Sequence, residues 1–126
     1  MRNKFLGTGE KGYHPLRKFK VILSGLQFSM IDFSVSYKLV LSVLVIVPSL
    51  FLHHWIDSSV IILATAMMLT AEMFNTVVEA MCDYIQSDYD PKIGMIKDVA
   101  AAATGIAIFA WIIILCVEIY ELFYKL

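Results

Sequence analysis

The chain has 126 residues, of which 60% are hydrophobic, and its 10 Lys and Arg residues against 11 Asp and Glu residues give a formal net charge of −1. A water-soluble domain of this length cannot bury so much apolar surface, so the composition excludes an ordinary soluble protein and predicts a membrane protein. Six of the ten basic residues lie within the first twenty positions. This asymmetry carries more information than the net charge.

The N-terminal third predicts an arm followed by an amphipathic helix. Residues 1–15 combine glycines, a proline and scattered charges without an apolar period, which predicts a mobile or loosely docked arm. Residues 16–33 repeat apolar side chains every three or four positions, with basic and polar side chains on another side. The basic start and modest length favour a helix lying in the membrane interface, and an ordinary core-facing helix is the alternative.

Three apolar segments follow, each close to the roughly 20 residues that a membrane span requires. They predict transmembrane helices at residues 35–54, 58–83 and 97–120, and the polar residues 84–96 predict a loop. Lys38, near the start of the first span, is expected to extend its ammonium group to the membrane interface.

The distribution of basic residues predicts the orientation of these spans. The N-terminal region is rich in Lys and Arg, the 84–96 loop contains Lys92, Lys97 follows it directly, and the turn at residues 53–58 contains no Lys or Arg. By the positive-inside rule the N-terminus and the 84–96 loop face the cytoplasm, where ATP is available.

The second span contains a row of polar side chains that needs explanation. On a helix, Glu72, Glu79 and Asp83 fall within roughly 20° of one line, and Asn75 lies about 60° to one side. An acid at membrane depth costs roughly 2.5–3.5 kcal/mol, whereas a polar contact between membrane helices returns only about 0.6 kcal/mol on average. We therefore favour a functional role for this row, which we call the acidic row, over polar packing between helices.

Lys97 and Asp98 lie at the expected start of the third span, on the same membrane face as the Asp83 end of the acidic row. A lysine at a helix N-terminus predicts a phosphate site, and the carboxylate of Glu79 suits Mg²⁺. Taken alone, the Lys-Asp pair is typical of a membrane-boundary anchor. Together with the acidic row it indicates phosphoryl transfer.

These residues resemble a known family. The pattern E-x-x-N-x-x-x-E-x-x-x-D at Glu72, Asn75, Glu79 and Asp83, followed by K-D at residues 97–98, is similar to that of the small prokaryotic diacylglycerol kinases, which include undecaprenol kinases. The resemblance covers about residues 14–122. It implies an all-α integral membrane fold, with one amphipathic surface helix and three transmembrane helices, and a homotrimer with active sites shared between subunits.

The resemblance also implies roles for individual residues. Glu72 is expected to be the general base toward the lipid hydroxyl, Glu79 a ligand of ATP-bound Mg²⁺, Asn75 a supporting residue and Lys97 a ligand of the β- and γ-phosphates. Further nucleotide contacts are expected from Asp83, Asp88, Tyr89, Asp90, Asp98 and Arg17, with Lys18 as the alternative to Arg17.

One position departs from the family pattern. Aligning Gly25 and Leu26 with the family's surface helix places Phe33 where a second metal-binding Glu is usual, and Asp32 is one residue earlier. Asp32 is therefore the expected second metal ligand through a local shift, and a metal held by Glu79, ATP oxygens and water alone is the alternative.

The expected function is an ATP- and Mg²⁺-dependent lipid kinase of the bacterial plasma membrane, acting on a membrane lipid alcohol and without a nucleic-acid partner. Diacylglycerol is the first candidate substrate and undecaprenol the alternative. Two other function classes stay open: an intramembrane proton or ion relay that uses Glu72 and Glu79, and a non-enzymatic membrane assembly subunit.

Overall fold

Four helices make up the computed structural model, which describes Gly12, residues 14–52 and residues 54–125. The helices are α1 (Pro15–Ser29), α2 (Phe33–Phe51), α3 (Trp55–Ile85) and α4 (Pro91–Lys125). No strand occurs in the part of the chain that the structure describes, so the predicted all-helical class is confirmed. Most of the predicted N-terminal arm lies outside the described residues.

Three of the helices are long and apolar enough to cross a membrane: α2 with 19 residues, α3 with 31 and α4 with 35. At about 1.5 Å per residue, α2 is about 28 Å long, close to the roughly 30 Å of a bilayer's hydrocarbon core. By the same measure α3 and α4 are about 46 Å and 52 Å long. Both therefore exceed the hydrocarbon thickness by several helical turns.

The chain divides into two compact units, Met1–Phe33 and Ser34–Leu126. The first unit contains α1 and the turn that follows it. The second contains α3, α4 and nearly all of α2, and the acidic row belongs to this unit.

Helix α1 begins at Pro15, because proline is well suited to the first helical turn, where its missing N–H is not needed. It ends at Ser29, whose hydroxyl donates to the carbonyl oxygen of Gly25 at 2.9 Å. The helix is thus about one turn shorter than the expected residues 16–33, because the backbone N–H groups of Ile31 and Asp32 bond three residues back and tighten the chain into a turn. No residue of α1 is buried.

Helices α2 and α3 pack along one seam of buried side chains spaced alternately three and four residues apart. These are Val35, Lys38, Ser42, Val45 and Ser49 on α2, and Ser58, Ile61, Thr65, Met68 and Glu72 on α3. This spacing is the 3.5-residue repeat of a coiled-coil seam. The hydroxyls of Ser49 and Ser58 bond at 2.8 Å at one end, and Lys38 meets Glu72 at the other, so the helices are antiparallel.

One hydroxyl in this seam joins all three long helices. The Ser42 Oγ atom donates to the Lys38 carbonyl oxygen at 3.0 Å and accepts from Thr65 Oγ1 and from Trp111 Nε1, each at 2.9 Å. Its hydrogen-bonding capacity is therefore fully used inside the bundle. The apolar core surrounds it and consists of Val45, Ile61, Ala64, Met68, Trp111 and Leu115.

The connection between α3 and α4 is shorter than the predicted loop at residues 84–96. Helix α3 continues to Ile85 and α4 begins at Pro91, six residues before the expected start of the third span. The reason is local, because Asp90 Oδ1 accepts hydrogen bonds from the backbone N–H groups of Lys92 at 2.7 Å and Ile93 at 3.3 Å. The sequence Asp-Pro is found at helix N-termini as well as in turns. Here the Asp90 carboxylate is the N-cap of α4.

Replacing Ser42 with Ala is expected to destabilise the bundle. The variant leaves the buried Trp111 N–H without its acceptor, whereas Thr65 retains a bond to the Ile61 carbonyl oxygen at 2.8 Å. A buried donor without a partner costs about 1–3 kcal/mol. The free energy of unfolding, measured by denaturant titration in detergent micelles, should fall by that amount. The control Ser59→Ala, whose exposed hydroxyl bonds only to its own helix, should change it by less than about 0.5 kcal/mol, and equal effects would contradict the account.

Replacing Asp90 with Ala is expected to loosen the start of α4. The variant removes the acceptor of two backbone N–H groups, a loss that costs about 1 kcal/mol at a helix N-terminus. Amide hydrogen exchange at residues 92–94 should therefore quicken by roughly fivefold. Asp88 is exposed and forms no such cap, so amide exchange at residues 92–94 should be unchanged in Asp88→Ala. Unchanged exchange in Asp90→Ala would show that the cap does not hold this end.

Candidate functional site

The acidic row begins at Glu72, which is buried at the end of the α2–α3 seam. Its Oε1 atom forms an ion pair with Lys38 Nζ and accepts from the Ser34 hydroxyl at 3.5 Å. Lys38 is only 3% exposed and also donates to Ser34 Oγ at 2.9 Å. The first acid of the row is thus neutralised by a cation from the neighbouring helix.

Lys38 lies elsewhere than the sequence predicts. We expected its ammonium group to reach the membrane interface, and this expectation is wrong, because Glu72 draws it into the helix bundle. One feature of the sequence could have indicated that Lys38 is buried. Positions 35, 38, 42, 45 and 49 have the spacing of a coiled-coil seam. Because three of these five residues are polar, an apolar pattern search does not find the seam.

One turn further along α3, Asn75 and Glu79 form the middle of the row. The Asn75 Nδ2 atom donates to Glu79 Oε1 at 2.9 Å, which orients the exposed Glu79 carboxylate. The Oδ1 atom of Asn75 is buried and has no hydrogen-bond partner among the described residues. An amide held in this way is available to a further donor.

The row ends at Asp83, which forms an ion pair with Lys97 of α4. This contact joins the last turns of α3 to the second turn of α4. The expectation that Lys97 lies at a helix N-terminus is wrong, because α4 starts at Pro91 and its free N–H groups are capped by Asp90. Any phosphate near Lys97 would meet the ammonium group rather than a helix end.

The three acids therefore differ in how the protein neutralises them. Glu72 is paired with Lys38 and Asp83 with Lys97, whereas no ion pair to Glu79 occurs within residues 14–52 and 54–125. Helix α3 has 31 residues against the roughly 20 that a span requires, so part of it extends past the hydrocarbon. Glu79 is therefore an exposed carboxylate that is oriented by Asn75 and forms no ion pair with the described residues.

The residues present fit a Mg²⁺ ion that brings other ligands with it. No group of three or more His, Cys, Asp or Glu side chains suited to a metal ion occurs in the described part of the chain. Mg²⁺ in phosphoryl-transfer sites takes one or two carboxylates and completes its octahedron with water and phosphate oxygens. Glu79, exposed and without a cation, has the donor chemistry for the first of these.

The remaining predicted site residues fall into two groups. Asp88 and Tyr89 are exposed in the connection before α4, and Asp98 is exposed on its second turn. Arg17 on α1 and Asp32 in the turn after it belong to the first unit. The roles expected for these five residues stay predictions.

Two other features of the second unit lack the acidic row's chemistry. A cavity of about 780 Å³ between α2 and α4 is lined by apolar side chains such as Leu44, Phe51 and Phe123, and by no charged residue. At the far end of the bundle Lys125 bonds to Glu121 at 2.6 Å, and His54 bonds to Asp57 at 2.9 Å. Lys125 Nζ also lies 3.9 Å from Asp57 Oδ2, so this lysine contacts acids of both α3 and α4.

Comparison with known proteins agrees with the motifs of the acidic row. Neither the curated proteins nor the solved structures gave a match. The family model described as prokaryotic diacylglycerol kinase matches residues 22–119, which include the whole acidic row, Lys38, Lys97 and Asp98. The resemblance inferred from the sequence is thereby confirmed over most of the chain. With its three apolar helices and this match, the chain belongs to the prokaryotic diacylglycerol kinase family of membrane lipid kinases.

Proposed function

We propose that the protein transfers the γ-phosphate of ATP to the hydroxyl group of a membrane lipid alcohol, with Mg²⁺ as cofactor. Diacylglycerol is the first candidate, with phosphatidic acid as its product, and undecaprenol is the alternative. The family is one of lipid kinases of the diacylglycerol kinase type, and this coarser assignment is the starting point for the proposal.

The proposal rests on the surroundings of the Glu79 carboxylate. Its carboxylate is exposed, is oriented by Asn75, and is the one acid of the row without a cation within the described residues. An uncompensated carboxylate of this kind is suited to Mg²⁺ that arrives with ATP, and the bound ion would neutralise the charge that develops on the transferred phosphoryl group. Asp32 is proposed as the second carboxylate ligand.

Lys97 is proposed to bind the β- and γ-phosphates. It contacts Asp83 and is about one-third exposed, so its ammonium group can exchange part of that contact for a phosphate oxygen. The nucleotide would lie against Asp83, Asp88, Tyr89, Asp90, Asp98 and Arg17, as the family resemblance implies. Asp90 contributes through the shape of the connection, since its carboxylate caps α4.

Glu72 is proposed as the general base. With a rise of about 1.5 Å per residue, it lies on the order of 10 Å from Glu79 along α3, toward the membrane interior. A lipid alcohol would approach from the bilayer and the nucleotide from water, so the hydroxyl and the γ-phosphate would meet between the two residues. Positioning and charge neutralisation are the main requirements of phosphoryl transfer, and these few residues supply both.

Membrane placement and assembly complete the proposal. The exposed apolar side chains of α1, among them Leu16, Phe19 and Ile22, together with its basic residues suit a helix in the interface. The basic N-terminus is proposed to face the cytoplasm of a bacterium whose plasma membrane holds the protein. A homotrimer with shared active sites is proposed, as the family resemblance implies. Glu79 has few other candidate metal ligands within one subunit, and a neighbouring subunit would complete its site.

Label transfer tests this function. Purified protein in lipid–detergent micelles should move the γ-phosphate of labelled ATP to diacylglycerol, to undecaprenol or to both, in the presence of Mg²⁺. Glu79→Gln removes the unpaired carboxylate and should lower the rate by about 10²–10³-fold, the usual effect of losing one group that stabilises transition-state charge. Higher Mg²⁺ concentration should restore part of the loss.

Glu121→Gln provides the matched control, because its carboxylate pairs with Lys125 at the far end of the bundle. Its rate should stay within about twofold of wild type. A proton relay or an assembly subunit would transfer no label to either lipid. That result, or a Glu79→Gln rate equal to wild type, would overturn the proposal.

A further inference from the structure

Lys38 is the most deeply buried charged side chain among the described residues. It is 3% exposed, on a helix whose other seam positions are Val35, Ser42, Val45 and Ser49. A buried ammonium group in a membrane bundle needs an opposite charge and hydrogen-bond acceptors. Lys38 has both, Glu72 and Ser34, and its Nζ atom lies 5.4 Å from the centre of the Tyr37 ring.

The pair uses only one of the two carboxylate oxygens of Glu72. Lys38 and Ser34 both bond to Oε1, and no hydrogen bond reaches Oε2 from the residues that the structure describes. The Glu72 side chain keeps 10% of its surface exposed, and its Oε2 atom is not among the fully buried side-chain oxygens that lack a partner in the described part of the chain. One oxygen is thus held in place and the other is available.

Two opposing effects act on the charge of Glu72. Burial favours the neutral acid, since a buried carboxylate without a partner is costly. A lysine ammonium in direct contact favours the carboxylate. The second effect has to dominate before Glu72 can serve as a base, because a carboxyl group that already holds a proton cannot take one from a lipid hydroxyl.

We infer that Lys38 is a positioning residue of the lipid kinase reaction: it keeps Glu72 ionised within the bundle and fixes Oε1, so that Oε2 is directed to the lipid hydroxyl. This inference rests on the proposed function. In the step concerned, the hydroxyl proton passes to Oε2 while the lipid oxygen bonds to the γ-phosphorus. The bond from that phosphorus to the bridging oxygen breaks, and ADP leaves with the electron pair.

The proton transfer also explains why a lysine suits this position. Before the step, Lys38 and Glu72 together are neutral. After it, Glu72 is a neutral acid and Lys38 carries an uncompensated positive charge, while the new lipid phosphate carries negative charge. Return of the proton to water restores the pair, so each turnover begins from the same ionised base.

Infrared spectroscopy tests the pair independently of any activity. The difference between wild type and Glu72→Gln at neutral pH should contain a carboxylate band from Glu72. The difference between Lys38→Met and Lys38→Met/Glu72→Gln should instead contain the band of a protonated carboxyl group. Lys38→Arg, which keeps the charge, should retain the carboxylate band. A carboxylate band that persists in Lys38→Met would overturn the inference.

Kinetics test the consequence for the reaction. Lys38→Met should lower kcat by about 10²-fold or more, the range expected when a general base is lost, and leave the KM for ATP within about twofold. Lys38→Arg should recover at least a tenth of the wild-type kcat. Lys20→Met, which removes an exposed lysine of α1, serves as the control and should leave kcat within twofold. An unchanged kcat in Lys38→Met would overturn the inference.

Failure of the proposed function and failure of the inference about Lys38 can be told apart. Absence of phosphate transfer by the wild type would overturn the proposed function, and with it the role of Lys38 in the reaction, whatever the infrared spectra show. If Lys38→Met does not fold, Lys38→Arg decides the matter. A protonated Glu72 in that variant would overturn the inference, and a retained carboxylate band with at least a tenth of kcat would support it.

Discussion

The buried ion pair between Lys38 and Glu72 joins α2 to α3 at one end of their seam. A buried charge without a partner is costly, so the register of α2 against α3 in which the two charges meet is favoured. That register also brings Ser49 to Ser58 and Ser42 to Thr65. Trp111 of α4 donates to the same hydroxyl of Ser42, so the third long helix bonds to this seam as well.

The acids along α3 differ in whether they are paired with a cation. Two lysines from the neighbouring helices pair with the first and last acids of the row, and the middle acid, Glu79, is exposed. The paired acids serve the fold as well as the proposed chemistry, whereas Glu79 makes no ion pair within the described residues. Pairing of two of the three carboxylates with lysines lowers the cost of placing such a row on a membrane helix.

Much of this arrangement was predictable from the sequence because it depends on patterns local to one helix. The three apolar runs and the row at Glu72, Glu79 and Asp83 depend on helical periodicity alone. Lys38 was mispredicted because its partner is 34 residues away in the chain and because polar residues at three of the five seam positions hide the seam from apolar periodicity. The start of α4 was placed too late because Asp90 and Pro91, which end a turn, also begin a helix. The chemical roles of the site residues come from the family resemblance and stay predictions.

In the proposed reaction, Glu72 activates the lipid hydroxyl and Glu79 holds Mg²⁺ with the nucleotide, so the lipid oxygen attacks the γ-phosphorus directly. The configuration of phosphorus tests this claim, with ATP made chiral at the γ-position as the donor. A single in-line displacement predicts that the phosphoryl group of the lipid product has inverted configuration. Retained configuration would require two displacements through a phosphorylated enzyme, and would contradict direct transfer along the acidic row.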